Sequence, residues 1–136
     1  MQHNKYIEDL GIPLKNIGTN FCDDTDGRNK KWKEERKIYG FDERETWSLD
    51  HYFVEWLYSH LMMYMETGGT VIDLNYHKFN FEGKEYTQKE AIDYILYACK
   101  EYLLCDDIYC GNTGELIPNT QKAIRLFAEI LPAMWW

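Results

Sequence analysis

The segment from residue 48 to residue 69 has the clearest hydrophobic pattern in the chain. It reads SLDHYFVEWLYSHLMMYMETGG, and its large apolar side chains recur every three or four positions. This spacing places them on one face of an α-helix. Ser48 can cap the start of the helix, and Gly68-Gly69 can end it. The pattern predicts a long helix, buried on more than one side, with an inward face of Leu49, Phe53, Trp56, Leu57, His60, Leu61 and Tyr64.

A β-hairpin is predicted after this helix. Phe79 and Phe81 alternate with polar neighbours, and the turn-forming Glu82-Gly83-Lys84 follows them. Residues 77–87 are therefore typical of two paired strands. Residues 70–76 alternate in part and contain β-branched side chains, which indicates a further short strand or extended segment. We place the hairpin region near 70–87.

A second long helix follows the hairpin. Thr87 and Glu90 have the spacing of a capping box, in which each side chain bonds to the backbone amide of the other residue. The apolar pattern then continues at helical spacing and predicts a helix from about 88 to 104. Its inward stripe consists of Ala91, Ile92, Ile95, Leu96, Cys99 and Leu103.

The parts of the chain on either side of these elements carry weaker patterns. Turn-forming residues dominate residues 1–27, for which we predict an irregular N-terminal segment. The run NKKWKEERKIYG, residues 29–40, predicts a short charged helix that rests on Trp32 and ends at Gly40.

The C-terminal part is predicted to contain one more helix. Residues 105–119 have the composition of a loop. Thr120 can cap a helix over 121–131, which Pro132 would stop. The residues expected to face inward are Ile124, Phe127, Ala128 and Leu131.

These elements predict an α+β fold that is mainly helical, with two long helices, a C-terminal helix and a small β-hairpin. The chain has 136 residues, of which 45% are hydrophobic and 16% aromatic, which is enough for one core. We expect a single domain over 1–136, with its helical part over 29–136. The final tryptophans, Trp135 and Trp136, are expected to pack against it.

The charge of the chain excludes two classes of protein. The net charge is -8. A disordered acidic tail is excluded, because such tails lack the many aromatic residues that this chain contains. A general nucleic-acid binder needs a positive surface, so we expect no direct binding to duplex DNA. The charge is uneven: residues 1–40 have eight basic and seven acidic residues, whereas residues 41–136 have seven basic and sixteen acidic ones.

The sequence predicts a cytoplasmic protein. The N-terminal residues lack the apolar stretch of a signal peptide, and no apolar run is long enough to span a bilayer. Cys22, Cys99, Cys105 and Cys110 are then expected to be reduced thiols. Their spacing lacks the close pairs of common zinc sites, although Cys105 and Cys110 could form half of one with a distant histidine.

No motif in the chain predicts a catalytic residue, a metal ligand or a cofactor. The sequence lacks the serine elbow, the phosphate loop and the HExxH zinc motif. Asp24-Thr25-Asp26-Gly27 is similar to the start of a calcium loop, but Cys22 and Lys33 occupy its two end positions, where oxygen ligands are needed. His51 and Glu55 lie one helical turn apart, as two metal ligands would, but His60 lies on the other side of the helix, so the three side chains cannot converge on one metal ion. We expect a protein that is not an enzyme.

The segment FDERETWSLD, residues 41–50, is the first candidate for a binding surface. Two interpretations are open: a loop that packs Trp47 while its charges stay in solvent, or a recognition patch. Tryptophan and arginine are enriched at interface hot spots, and carboxylates attract a basic partner. The candidate partner-binding residues are Asp42, Glu43, Arg44, Glu45, Trp47 and Asp50.

A basic cluster on the preceding helix is the second candidate surface. It is either a solvated helix face, with Glu34 and Glu35 compensating its charge, or a contact site for an acidic partner surface. Its members are Arg28, Lys30, Lys31, Lys33, Arg36 and Lys37.

Residues 39–104 resemble small proteins encoded by phages and prophages of Gram-positive gut bacteria. The similarity rests on Gly40-Phe41, on Glu45-Thr46-Trp47 with Leu49-Asp50, and on the turn Phe81-x-Gly83-Lys84-x-Tyr86-Thr87. Small acidic phage proteins of this size include inhibitors of host defence, among them anti-CRISPR proteins. The resemblance carries over no catalytic residues.

The resemblance implies a non-enzymatic inhibitor of a bacterial defence system. The expected partner is a Cas nuclease such as Cas9, with or without guide RNA, because CRISPR effectors present positive channels to which an acidic protein can bind. Three alternatives remain open: a sponge that sequesters a nucleotide signal, a metal-dependent phage enzyme, and a phage structural or assembly factor.

Overall fold

The computed structural model describes residues 4–11, 25–105 and 116–135. Within these ranges the chain forms five α-helices and one two-stranded antiparallel sheet, which confirms the α+β, mainly helical fold. In chain order the elements are α1 (Lys5–Glu8), α2 (Asn29–Tyr39), α3 (Leu49–Thr67), β1 (Lys78–Phe81), β2 (Lys84–Thr87), α4 (Gln88–Leu104) and α5 (Leu116–Ile130).

The chain divides into two compact units, residues 1–56 and 57–136, with the boundary inside α3. The expectation of a single domain stays a prediction. The described part of the N-terminal segment contains the one-turn helix α1, and the predictions for 12–24 and 106–115 fall outside the described residues.

Helix α2 forms as the sequence predicts. Gly40 follows it with a φ of 84°, a left-handed conformation that glycine adopts without strain, and its amide donates to the carbonyl of Arg36. Trp32 is the one buried residue of α2. Trp32 is therefore the apolar anchor of α2 in the first unit, and a 3₁₀ turn over Glu43–Thr46 follows the helix.

The predicted inward face of α3 is wrong in part. Leu57 and Leu61 are buried as expected, but Leu49, Trp56 and His60 are exposed. Two adjacent apolar stripes of α3 both have helical spacing, and tertiary packing buries only one of them. The buried residues of α3 are Val54, Glu55, Leu57, Tyr58, Ser59 and Leu61.

The short strand or extended segment predicted for residues 70–76 is also wrong. A 3₁₀ turn over Gly68–Thr70 and further turns occupy this segment. The amides of Val71 and Ile72 both donate to the carbonyl of Gly68, so local turns satisfy backbone groups that a strand would pair with a neighbour. The hairpin itself is confirmed, with Phe79 opposite Tyr86.

Helix α4 has the predicted bounds and the predicted capping box. The amide of Glu90 donates to the Thr87 hydroxyl at 3.1 Å, and the amide of Thr87 donates to the Glu90 carboxylate at 3.2 Å. Ala91, Ile92 and Ile95 are buried as expected.

Helix α5 begins five residues before the predicted start at 121. Pro118 lies in its first turn, where the missing N–H costs nothing, and Thr120 lies inside the helix rather than at its cap. The inward face of α5 is also rotated about the helix axis relative to the predicted face, and it packs extensively on α4. The predicted inward face is therefore wrong in part: Ala128 and Leu131 are exposed, and Ile124 and Phe127 are half-buried. The buried residues of α5 are Thr120, Ala123, Leu126 and Ile130.

The C-terminal tryptophan that the structure describes does not pack as expected. Trp135 is exposed, and Trp136 lies outside the described residues. Within residues 4–11, 25–105 and 116–135, none of the helices combines the length and the apolar character needed to cross a membrane.

Candidate functional site

The two predicted binding surfaces pack against each other around Trp32. The indole Nε1 of Trp32 donates to the carboxylate of Glu43 at 2.9 Å. The guanidinium of Arg44 lies 4.3 Å from the Trp32 ring centroid, and that of Arg28 lies 4.9 Å from it. Trp47 meets Trp32 edge to face, with the centroids 5.9 Å apart. The acidic segment and the basic helix thus form one cluster within the first unit.

Asp42 is the buried charge that holds this cluster together. The Arg44 side chain donates to it twice, through Nε at 2.9 Å and Nη2 at 2.8 Å, and Arg36 donates from α2. Burial alone would raise the pKa of Asp42, but the hydrogen bonds from both arginines outweigh it and lower the pKa. The reading in which all charges of this loop stay in solvent does not hold for Asp42 and Arg44.

Glu43 fixes the start of the 3₁₀ turn to α2. It accepts from Lys31 at 3.0 Å as well as from Trp32, and these hydrogen bonds lower its pKa. Its backbone amide donates to the Glu35 carboxylate at 2.8 Å. Glu43 and Lys31 are therefore engaged within the chain, although each keeps some contact with solvent.

The predicted basic cluster is paired within the chain at most of its positions. Arg28 forms a salt bridge with Asp26, and Lys37 forms one with Glu34. Lys31 and Arg36 bind the acidic segment, as described above. Among the described residues, Lys30 and Lys33 have no ion-pair partner. The structure thus leaves two of the six basic residues as unpaired positive charge.

The accessible part of the candidate surface is aromatic and acidic. Trp47 remains 46% exposed although it packs on Trp32, and Asp50 is exposed at the start of α3. Glu45 is half-buried and hydrogen-bonds to Tyr52; burial raises its pKa.

Sequence reasoning missed a second aromatic group on this unit. Tyr39 and Phe41 are both exposed and contact each other, with ring centroids 6.3 Å apart. They flank Gly40, whose left-handed turn ends the helix. The signal was present in the sequence, because an apolar cluster at the end of an otherwise charged helix cannot turn fully inward.

The described residues offer no site for a metal ion. Within those ranges, no group of three or more His, Cys, Asp or Glu side chains is close enough to hold one. The calcium-like loop and the Cys105–Cys110 pair each include residues outside the described ranges.

Comparison with known proteins yields no match: no family model, no curated protein and no solved structure is similar to this chain.

Proposed function

We propose that this protein is a phage-derived, non-enzymatic inhibitor that binds a bacterial defence nuclease, a CRISPR effector of the Cas9 kind, in the host cytosol. The observation that carries the proposal is the exposed Trp47, held on a buried framework of Trp32, Arg44 and Asp42. The phage origin and the CRISPR effector rest on the sequence resemblance of residues 39–104.

The geometry supports protein binding because the exposed ring of Trp47 packs on the buried ring of Trp32, which holds it in place. Tryptophan and tyrosine are enriched at interface hot spots, where they fill pockets on the partner. Side chains that are already ordered lose less conformational entropy on binding. Trp47 is ordered by its contact with Trp32 and by the Arg28 guanidinium, 5.3 Å from its ring centroid.

The charge supports a basic partner. The net charge of -8 gives the whole chain a negative field, which speeds encounters with a positive surface such as a guide or target channel. The half-buried Glu45 lies two residues before Trp47 and the exposed Asp50 three residues after it, and both add negative charge to this segment. Encounter driven in this way weakens as salt screens it.

The test is DNA cleavage by a purified Cas9-type effector loaded with guide RNA, with the purified protein added before or after the guide. We expect inhibition that weakens as salt increases. Trp47→Ala should reduce affinity at least tenfold, because hot-spot tryptophans contribute about 2 kcal/mol or more. The double variant Glu45→Lys with Asp50→Lys should mainly slow association.

The matched control is the double variant Glu85→Lys with Asp93→Lys. It changes the net charge by the same amount, at exposed side chains of the second unit. If inhibition falls equally in both double variants, the overall charge of the chain causes the loss, and the position of Glu45 and Asp50 does not. Full inhibition by Trp47→Ala would contradict the proposed surface, and no binding to the effector would contradict the function. Asp42 is unsuitable for charge reversal because its side chain is fully buried.

A further inference from the structure

Two arginines of the first unit make the same pair of contacts. In each case the guanidinium lies over an indole ring and binds a carboxylate at its edge. Arg44 lies 4.3 Å from the Trp32 ring centroid and binds Asp42 through Nε at 2.9 Å and Nη2 at 2.8 Å. Arg28 lies 4.9 Å from the same centroid and binds Asp26 through Nε at 3.0 Å and Nη2 at 2.8 Å. The unit thus builds one kind of guanidinium site twice, from an indole ring and a carboxylate.

Trp47 is the ring of this cluster that still has room for a cation. Arg28 lies 5.3 Å from its centroid and Trp32 packs on it edge to face, yet 46% of the Trp47 surface is exposed. Trp32, which contacts both arginines, is fully buried. Within the part of the chain that the structure describes, Arg28 is the cation that lies over the Trp47 ring. The cluster therefore alternates arginine and tryptophan and ends in an indole ring that faces solvent.

The charges of this segment favour a cation on the exposed part of Trp47. Asp50, three residues after Trp47, is the exposed carboxylate among residues 41–50. The face of an indole ring has a negative potential, which attracts cations. A nucleotide base could also stack on the ring, but it brings phosphates, which the net charge of -8 repels. A cationic side chain is therefore the ligand that fits this ring.

The cations of the cluster indicate which side chain this is. Lys31 lies on the same helix as Arg28 but binds the carboxylates of Glu43 and Glu35. A guanidinium is planar and weakly hydrated, so it can stack its face on a ring while its edge donates hydrogen bonds to a carboxylate. An ammonium group is compact and strongly hydrated, so it gains less from such a site.

We propose that the exposed part of Trp47 takes an arginine side chain of a basic partner, with Asp50 binding the edge of the guanidinium. The inference rests on the proposed function, because it names the side chain through which the partner contacts Trp47. It extends to the partner the contacts that Arg28 and Arg44 make within the chain. A cation–π contact at an exposed site is weak by itself, so a short peptide should bind at millimolar concentration.

The test is an NMR titration of the ¹⁵N-labelled full chain with a capped peptide of three arginines, followed at the indole Nε1–H signals. The Trp47 signal is the one missing from Trp47→Phe, or is found by sequential assignment if that variant fails to fold. Two matched peptides replace arginine with lysine, which is charged but not planar, or with citrulline, which has the shape of arginine but no charge.

We expect the arginine peptide to shift the Trp47 signal and the citrulline peptide to leave it unchanged. The lysine peptide should bind about threefold more weakly than the arginine peptide. Asp50→Asn should weaken binding of the arginine peptide severalfold, because the guanidinium loses its charged acceptor. Equal affinity of the wild type and Asp50→Asn would overturn the contact at the guanidinium edge.

Trp135 is the internal control, because it is a 76% exposed tryptophan of the second unit. A shift confined to Trp47 and strongest with arginine supports the proposal. Equal shifts of Trp47 and Trp135 overturn it, as do equal binding of the arginine and lysine peptides and the absence of any shift at Trp47. The titration contains no nuclease, so failure of the proposed function would appear separately, as DNA cleavage that the protein does not inhibit.

Discussion

At the scale of single residues, burial decides what the charged side chains of this protein do. Asp42 stands in a run of charged residues that looks uniform in the sequence, yet its carboxylate is fully buried between Arg44 and Arg36. A buried ion pair contributes little by itself, but removing one partner leaves an uncompensated charge out of water.

Replacing Arg44 with methionine should strongly destabilise the protein. The substitution keeps an unbranched side chain but leaves Asp42 with Arg36 as its remaining cationic partner, and we expect a loss of about 3 kcal/mol. Urea unfolding followed by tryptophan fluorescence measures it. Lys78→Met is the control, because the Lys78–Glu85 pair is well exposed and should contribute less than about 1 kcal/mol. Equal losses in the two variants would contradict the role given to the buried pair.

Replacing Glu55 with glutamine should stabilise the protein at pH 8. Burial raises the pKa of Glu55 to about 7, from 4.5 as the ordinary value. Between these pH values the folded chain holds more protons than the unfolded chain, so the contribution of Glu55 to stability falls as pH rises. Above pH 7 the buried, ionised Glu55 lowers the free energy of unfolding by about 3 kcal/mol. Below pH 4.5 it does not lower it.

The measurement is the difference in unfolding free energy between Glu55→Gln and the wild type from pH 5 to pH 8. The difference is needed because His51 acts in the opposite direction: burial lowers its pKa, so its contribution to stability falls as pH drops below 6.5. The variant should gain most over the wild type at pH 8. A difference that stays constant with pH would contradict the raised pKa.

At the scale of elements, local signals set the ends of some helices, and packing sets the faces of all of them. The Thr87 capping box and Gly40 act through backbone groups a few residues away, so their effects were predictable. The inward face of α5 was not predictable, because contact with α4 selects it from two adjacent stripes. Ala123, which is fully buried, has the small side chain that a close helix contact needs.

Replacing Thr87 with alanine should destabilise the protein by about 1 kcal/mol, because the amide of Glu90 loses its acceptor at the start of α4. Thermal unfolding followed by circular dichroism measures it. Thr87→Ser keeps the hydroxyl and should remain close to the wild type. A loss in Thr87→Ser as large as that in Thr87→Ala would assign the effect to the methyl group rather than to the cap.

At the scale of the whole molecule, an excess of carboxylates coexists with several exposed apolar side chains. The net charge of -8 keeps copies apart at neutral pH, and the sequence isoelectric point is about 4.9. Repulsion between copies vanishes near the isoelectric point, where exposed apolar groups such as Trp135 promote association.

The solubility of the protein should therefore pass through a minimum near pH 5. Light scattering of samples dialysed to different pH values at one protein concentration measures it. Return to pH 7.5 should redissolve the precipitate, since the cause is charge and not unfolding. A minimum well above pH 6 would contradict this account.

The sequence by itself determined the features that depend on neighbours along the chain. These are the fold class, the bounds of α4, the end of α2 at Gly40 and the hairpin over 77–87, because capping, turn chemistry and periodicity act over a few residues. It also identified Trp32 as the one apolar anchor of α2. Its choice of the inward face of α3 was wrong in part, because two adjacent apolar stripes on that helix both have helical spacing.

Only the tertiary structure decided the make-up of the candidate site. The sequence separated an acidic patch from a basic one, and the structure joins them through Trp32, Asp42 and Arg44. It also left Trp56 exposed and buried Asp42, which reverses what hydropathy alone suggests. The physical reason is that burial depends on all the elements packed around a residue, and a buried charge is tolerated where distant segments bring it a partner.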